Sequence, residues 1–198
     1  IFDSDLEAII TGNKAHTAGP WSLQWLSVVS RVSGEEDPTA SITVAQRGGI
    51  GGEDIDEGTH TFFPSIAVND SGDAVIGFTA ASETRYPTSA YTTRSAALAA
   101  GTTSGSQVLR DGLDYYDRTF AGSGGPCPSS RWGDYSGISV DPFDQCFWVY
   151  NKHALDRGTA TSRQCGAASG DEDGVWGTAF AFVCESCRTN VDLVGDTT

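Results

Sequence analysis

An all-β fold built from antiparallel hairpins is what this sequence predicts, and three observations carry the prediction. Apolar and polar side chains alternate over short stretches bounded by Gly, Asn, Asp and Pro, which is the period of a half-buried strand. Gly occurs 24 times in 198 residues, above the usual share of about 7%, and without a collagen period, so the chain turns often. A hairpin pattern also recurs: Ile66, Val68 and Phe78 are answered by Ile138, Val140 and Tyr150, each 72 positions on (138 minus 66).

Taken in order, residues 1–20 read as a lead-in segment with one helical or irregular piece over residues 3–11, closed by Gly19 and Pro20. Residues 21–32 and 40–46 alternate as two strands around the turn-forming run 33–38, a first hairpin. The Gly-rich, acidic stretch 48–61 reads as a surface loop. The clearest hairpin follows, residues 63–68 and 74–79 around Asn69-Asp70-Ser71-Gly72-Asp73, whose residue types tolerate left-handed dihedrals. Another strand is expected over 87–94. Residues 95–130, rich in Ala, Gly, Ser and Thr, form a long excursion with one short strand at Val108-Leu109-Arg110. The pattern then repeats as strands 135–140, 146–150 and 176–183. Hairpins repeating with no helix between them are what propeller blades leave in a sequence, here about two and a half blades with long loops, an incomplete β-propeller-like unit. The organisation expected is a lead-in over 1–20, blades over 21–184 and a tail over 185–198.

Several classes are excluded by charge and composition. A formal charge of −14 with no Lys/Arg cluster opposes nucleic-acid binding. No stretch reaches the roughly 18 apolar residues of a membrane-spanning helix. The chain opens on Ile1 and contains no Met, from which processing or truncation upstream is expected. Five cysteines, Cys127, Cys146, Cys165, Cys184 and Cys187, lack zinc or haem spacing and read as disulfides made in an oxidising compartment. The expected pairs are Cys127 with Cys146 and Cys165 with Cys184, with Cys187 left over. These features place the chain outside the cell or on its surface.

The residues of this ladder carry a family resemblance. The run from Phe63 to Phe78, the block Arg131-Trp132-Gly133-Asp134-Tyr135-Ser136-Gly137, Val140-Asp141-Pro142, Cys146-Phe147-Trp148 and Trp176-Gly177-Thr178 together resemble the C-terminal blades of secreted bacterial proteins with a sialidase-like, BNR-type β-propeller. The resemblance spans residues 20–184. It implies that further blades, or another protein chain, stand beside these. The turn at 69–78 approximates the Ser-x-Asp-x-Gly-x-x-Trp box of sialidases, but no Trp closes it and its Asp and Gly are displaced.

A sialidase-type reaction uses a Tyr nucleophile with a carboxylate partner and an arginine cluster, for which Tyr115, Tyr116, Asp117, Arg118, Arg131, Asp134 and Tyr135 are the candidates. The competing expectation is structural: Arg131 pairs with Asp134 at a blade edge, and Trp132 and Tyr135 pack between blades. Calcium is the candidate cofactor, held by Glu53, Asp54, Asp56 and Glu57 or by Asp171, Glu172 and Asp173, although neither loop has the EF-hand order. His16, His60 and His153 share no liganding spacing and read as loop or solvated histidines. The function expected is a non-catalytic extracellular module that scaffolds or binds a partner, carbohydrate included. The alternatives are a glycoside hydrolase of sialidase-like fold and a structural subunit of an extracellular assembly. Trp25 and its strands are expected to pack against other blades or another protein.

Overall fold

The structure, a computed structural model, describes residues 6–13, 22–31, 41–118, 132–133, 135–158, 161–162, 171–172, 174–184 and 192–197. All its regular elements are strands. Strands β1 (Leu6–Asn13), β2 (Ser22–Arg31) and β3 (Ser41–Ile50) form a first antiparallel sheet in that order. A central sheet follows chain order through β4 (His60–Val68), β5 (Ala74–Ser82), β6 (Arg85–Arg94) and β7 (Gln107–Arg110). In the last sheet, β8 (Gly137–Val140) lies beside β9 (Phe147–Asp156), then β12 (Val175–Val183) and β13 (Asp192–Thr197). Between β9 and β12 the chain forms the small hairpin β10 (Thr161–Ser162) and β11 (Asp171–Glu172). Two consecutive four-stranded antiparallel sheets therefore share one strand order, interrupted in the second by that insertion.

The hairpins expected at 21–46 and 63–79 and the strands at 87–94, 108–110, 135–140, 146–150 and 176–183 are all present. Differences fall at the ends. Residues 3–11, read as helical or irregular, overlap β1, which pairs with β2 from Leu6↔Val29 to Asn13↔Ser22. The Ile9-Ile10 doublet breaks strand alternation, and pairing to a neighbour overrides that local signal. Gly48 and Gly49, assigned to a loop, extend β3 opposite Trp25 and Gln24. Part of the expected tail is β13, paired to β12. Trp25 lies in β2, but its side chain falls outside the described residues.

Three sheets stack face against face. Leu23 and Ile50 of the first sheet meet Ile76, Phe78, Ala80 and Ala90 of the central one. On its other side Val75, Tyr91 and Leu109 meet Phe147, Val149, Ala179, Ala181 and Val183 of the last sheet. Consequently every residue of β5 from Ala74 to Ala80 is buried, as a strand covered on both faces must be. Gly77 makes room at this contact, because a Cβ there would stand 3.3 Å from Val149 Cγ1 and 3.4 Å from Ile138 Cδ1.

A buried hydroxyl ties the first sheet to the second. Thr61, 1% exposed, accepts a hydrogen bond from the Leu23 amide (3.2 Å) and donates one to the Ile50 carbonyl (2.7 Å). Thr61→Val keeps the shape and strands both backbone groups away from water, which costs about 1–3 kcal/mol. Urea unfolding should register that loss, and a variant as stable as the parent would show that the two backbone groups find other partners.

The disulfide pairing differs from the expected one. Cys146 is bonded to Cys184, with Cα atoms 4.6 Å apart and a sequence separation of 38. Because Phe147 lies opposite Val183 in the β9–β12 ladder, the cysteine flanking each falls across from the other. Cys146 is thus not joined to Cys127, nor Cys184 to Cys165. Cys127, Cys165 and Cys187 lie outside the described residues.

The repeat is also adjusted by one residue. In the central hairpin the last pair, Val68↔Ala74, is followed by the turn 69–73. In the last sheet Val140↔Phe147 encloses 141–146, one residue more, with Gln145 at φ 62°. Ile66 corresponds to Ile138 at 72 positions, but Ala74 corresponds to Phe147 at 73 (147 minus 74). Phe78 therefore matches Asn151 rather than Tyr150, and Gly77 matches Tyr150. A one-residue slip exchanges the faces of a strand. With that correction, Ile66 and Ile76 face the first sheet as their counterparts Ile138 and Val149 face the central sheet. The sheets are stacked head to tail.

Candidate functional site

The two ends of the stack are chemically unlike. At one end the turns 69–73 and 141–146 touch, Asn69 Nδ2 donating to the Gln145 carbonyl (3.0 Å) and the Asp70 amide to Gln145 Oε1 (3.1 Å), next to the disulfide. Asp141 here accepts from the Phe143 amide and from the Trp148 indole. Those two bonds, the amide first, hold its carboxyl below the ordinary aspartate value. At the other end β4 begins, β5 and β9 finish and β6 and β12 begin, and there the chemistry-bearing side chains gather.

An open cavity of about 730 Å³ occupies part of that end, within the size range of small-molecule pockets. Its walls are Leu23, Phe62, Phe63, Pro64 and Ala81, and its polar groups come from Ser22, His60, Thr61, Ser82 and Glu83. Phe63 shapes it. Pro64 sits in β4, an edge strand, which is where a strand tolerates proline. The ladder bulges between Phe62 and Ser65, and Phe63 adopts φ 50°. For a bulky residue such a backbone costs about 1–3 kcal/mol and persists only where neighbours impose it. Ser136 Oγ donates to the Phe63 carbonyl (3.1 Å), and the Phe62 and Phe63 rings meet edge to face at 5.9 Å. As a result Phe63 is 39% exposed at the wall of the cavity.

Beside the cavity, Asp56 accepts hydrogen bonds from Thr84 Oγ1 (2.7 Å), Ser82 Oγ (3.4 Å) and the Glu57 amide (3.0 Å). The Thr84 bond is the chief cause of its carboxyl standing below the ordinary aspartate value. Asp54 Oδ2 accepts from the Ser106 amide (2.6 Å), and the Glu53 carboxylate lies against Gly51. Two carboxylates of the acidic loop read as a calcium site, Asp54 and Asp56, are thus occupied by separate donors. Among the described residues no three His, Cys, Asp or Glu side chains converge as a metal would require. Asp171 and Glu172 form β11, and Asp173 lies outside the described residues.

The residues proposed for sialidase-type chemistry are partly brought together. Tyr116 packs edge-on to Trp132 with centroids 5.0 Å apart. A Cβ at Gly174 would fall 2.8 Å from the Tyr116 ring, so Tyr116 lies against the backbone entering β12. Trp132 donates its indole N–H to Thr79 Oγ1 of the central sheet (3.2 Å), and its neighbour Gly133 abuts Lys152 of the last sheet. Trp132 thus lies at the loop ends of the central and last sheets, where the structural expectation had it packing between blades. Tyr135 does not pack that way, being 79% exposed. Arg118 Nε donates to the Gly174 carbonyl (3.0 Å), the Arg157 guanidinium lies 4.2 Å over the Tyr115 ring, and Asp117 is half-buried. Arg131 and Asp134 lie outside the described residues.

Other features escaped the sequence reading. His153, expected in a loop or in solvent, is fully buried in β9, and His60 lines the cavity; His16 lies outside the described residues. The cavity itself was signalled only by Phe62-Phe63-Pro64, an aromatic pair ahead of a proline inside a strand pattern, a combination that marks a bulge or an edge. Among the described residues no helix is long and apolar enough to cross a membrane. The chain matches no family model, no curated protein and no solved structure.

Proposed function

We propose that this chain is a non-catalytic, extracellular binding module of β-propeller type, a set of sialidase-like blades that presents its ligand seat at the loop end of the sheets. The observation that carries the reading is the strained, exposed Phe63 at the wall of an apolar cavity with His60, Ser82 and Glu83 at hand. Backbone outliers concentrate at ligand sites, where surrounding structure holds them. The head-to-tail stacking of like sheets supports the propeller character, and the Cys146–Cys184 bond supports an oxidising compartment. A ring with one apolar face and hydrogen-bonding edges, as in a sugar, suits an aromatic wall flanked by hydroxyl and carboxylate groups.

Titration against an immobilised glycan panel, together with turnover assays on fluorogenic sialosides and neutral glycosides, tests this reading. Saturable binding without turnover is expected, weakened about tenfold or more by Phe63→Ala, the loss of one buried aromatic contact. Turnover that Tyr116→Phe abolishes would replace the reading with a glycoside hydrolase.

A further inference from the structure

The last sheet presents a row of aromatic rings on the face turned away from the central sheet. Trp148 and Phe182 lie opposite each other with ring centroids 4.8 Å apart, and Tyr150 and Phe180 do the same at 5.2 Å. Lys152 places its ammonium 5.4 Å from the ring of Trp176. Trp148 is 40% and Trp176 48% exposed; Lys152 is buried, with Gly133 against it at the loop end of this face, and among the described strands none packs over the rest of it. Asp141 holds the Trp148 indole by a hydrogen bond of 3.1 Å, so the ring is fixed before anything meets it. A contiguous aromatic face of this kind on a sheet marks an interaction surface.

Stacking order says what belongs there. The central sheet meets the first through the face that, in the last sheet, meets the central one; on its opposite face Ala67, Val75, Gly77 and Tyr91 turn toward the last sheet, and their counterparts there are Ser139, Trp148, Tyr150 and Phe180. Head-to-tail stacking leaves two unlike ends, and the outer face of the first sheet is the natural complement to the outer face of the last. The two faces also differ in shape as complements should. At the internal contact Gly77 is a notch that admits Val149 and Ile138, whereas its counterpart Tyr150 is a projection, so the face requires a notched partner. The outer face of the first sheet has one. By the β2–β3 register Gly49 pairs with Gln24, on the side opposite the buried Leu23 and Ile50. Among the described residues, a Cβ at Gly49 would meet the Leu23 carbonyl oxygen alone, at 3.8 Å. Val44 shares that side and is 57% exposed.

We infer that the aromatic face of the last sheet docks the outer face of the first sheet of a second copy of this chain. The inference rests on the stacking order and holds whether or not the loop end binds a ligand. Sedimentation velocity on the oxidised 198-residue chain tests it directly. Self-association in the micromolar range is expected, the strength that a handful of aromatic anchors supplies. Trp148→Glu and Val44→Glu should each raise the dissociation constant about tenfold or more. An equimolar mixture of the two variants should associate more tightly than either alone, because each retains the face the other has lost. Both positions are exposed, and Trp176→Ser serves in place of Trp148→Glu if near-ultraviolet circular dichroism shows that variant misfolded. A chain that stays monomeric, a Trp148 variant that associates unchanged, or a mixture no better than its components would each overturn the inference. The last of these outcomes would point to like faces meeting or to a different partner.

Discussion

Phe78→Ala should lower the stability of the chain by about 3–5 kcal/mol, the cost of emptying a fully buried aromatic site. Phe78 is 0% exposed and belongs to the cluster of Leu23, Ile50, Ile76, Ala80 and Ala90 that joins the first sheet to the central one. Its neighbours are anchored in ladders on both sides and cannot collapse into the space. Domains of this size carry about 5–15 kcal/mol in total, so the variant should sit near the edge of folding. In urea the midpoint should fall with little change in slope. Tyr150 provides the contrast, since the 72-residue repeat pairs it with Phe78 while the register places it half-exposed on the outer face. Tyr150→Ala should cost clearly less, and equal losses at the two positions would contradict the one-residue shift between the repeats.

That shift illustrates what the chain's pattern could and could not disclose. Alternation around the Asn69 to Asp73 turn was legible because a two-residue period and left-handed turn formers coincide there, and β4 and β5 pair as expected. The offset of Ile66 to Ile138 was legible for the same reason. What alternation does not record is the length of a turn in space. The extra residue before Phe147, with Gln145 in the left-handed region, turns Trp148 and Tyr150 outward. The strand pattern remains intact, so the sequence carries no mark of the exchange. The edge strands β1 and β13 were hidden for another reason: each depends on a neighbour already in place, and strand preference is set by pairing more than by intrinsic propensity. His153 was misplaced because a lone histidine says nothing about its face until the register is known. The loop-end cavity depends on residues from β2, β4, the end of β5 and Glu83, which no spacing rule joins. By contrast Tyr116 and Trp132, singled out separately, do meet, because aromatic residues in long connections have few apolar places to go other than between sheets.

The disulfide shows the same dependence on register, and its removal is the second large effect expected. Neighbouring cysteines in a sequence are tempting partners, yet five cysteines do not declare their pairing. Here β12 returns antiparallel beside β9 after the insertion that carries β10 and β11, so that Cys184 reaches Cys146. The bond closes a loop with a sequence separation of 38. In the chain-entropy account, a crosslink of that span removes about 4 kcal/mol of freedom from the unfolded state, within the usual 2–4 kcal/mol of measured effects. It also closes the turn end of the last sheet, beside the Asn69 and Gln145 contacts that hold two sheets together. The double variant Cys146→Ser, Cys184→Ser should therefore unfold about 2–4 kcal/mol more easily than the oxidised chain. Reducing the parent should give a loss of similar size, since both treatments free the same loop. Peptide mapping without reduction should recover Cys146 joined to Cys184. A peptide joining Cys127 to Cys146 would displace the pairing and, with it, the register between β9 and β12 on which the aromatic face depends.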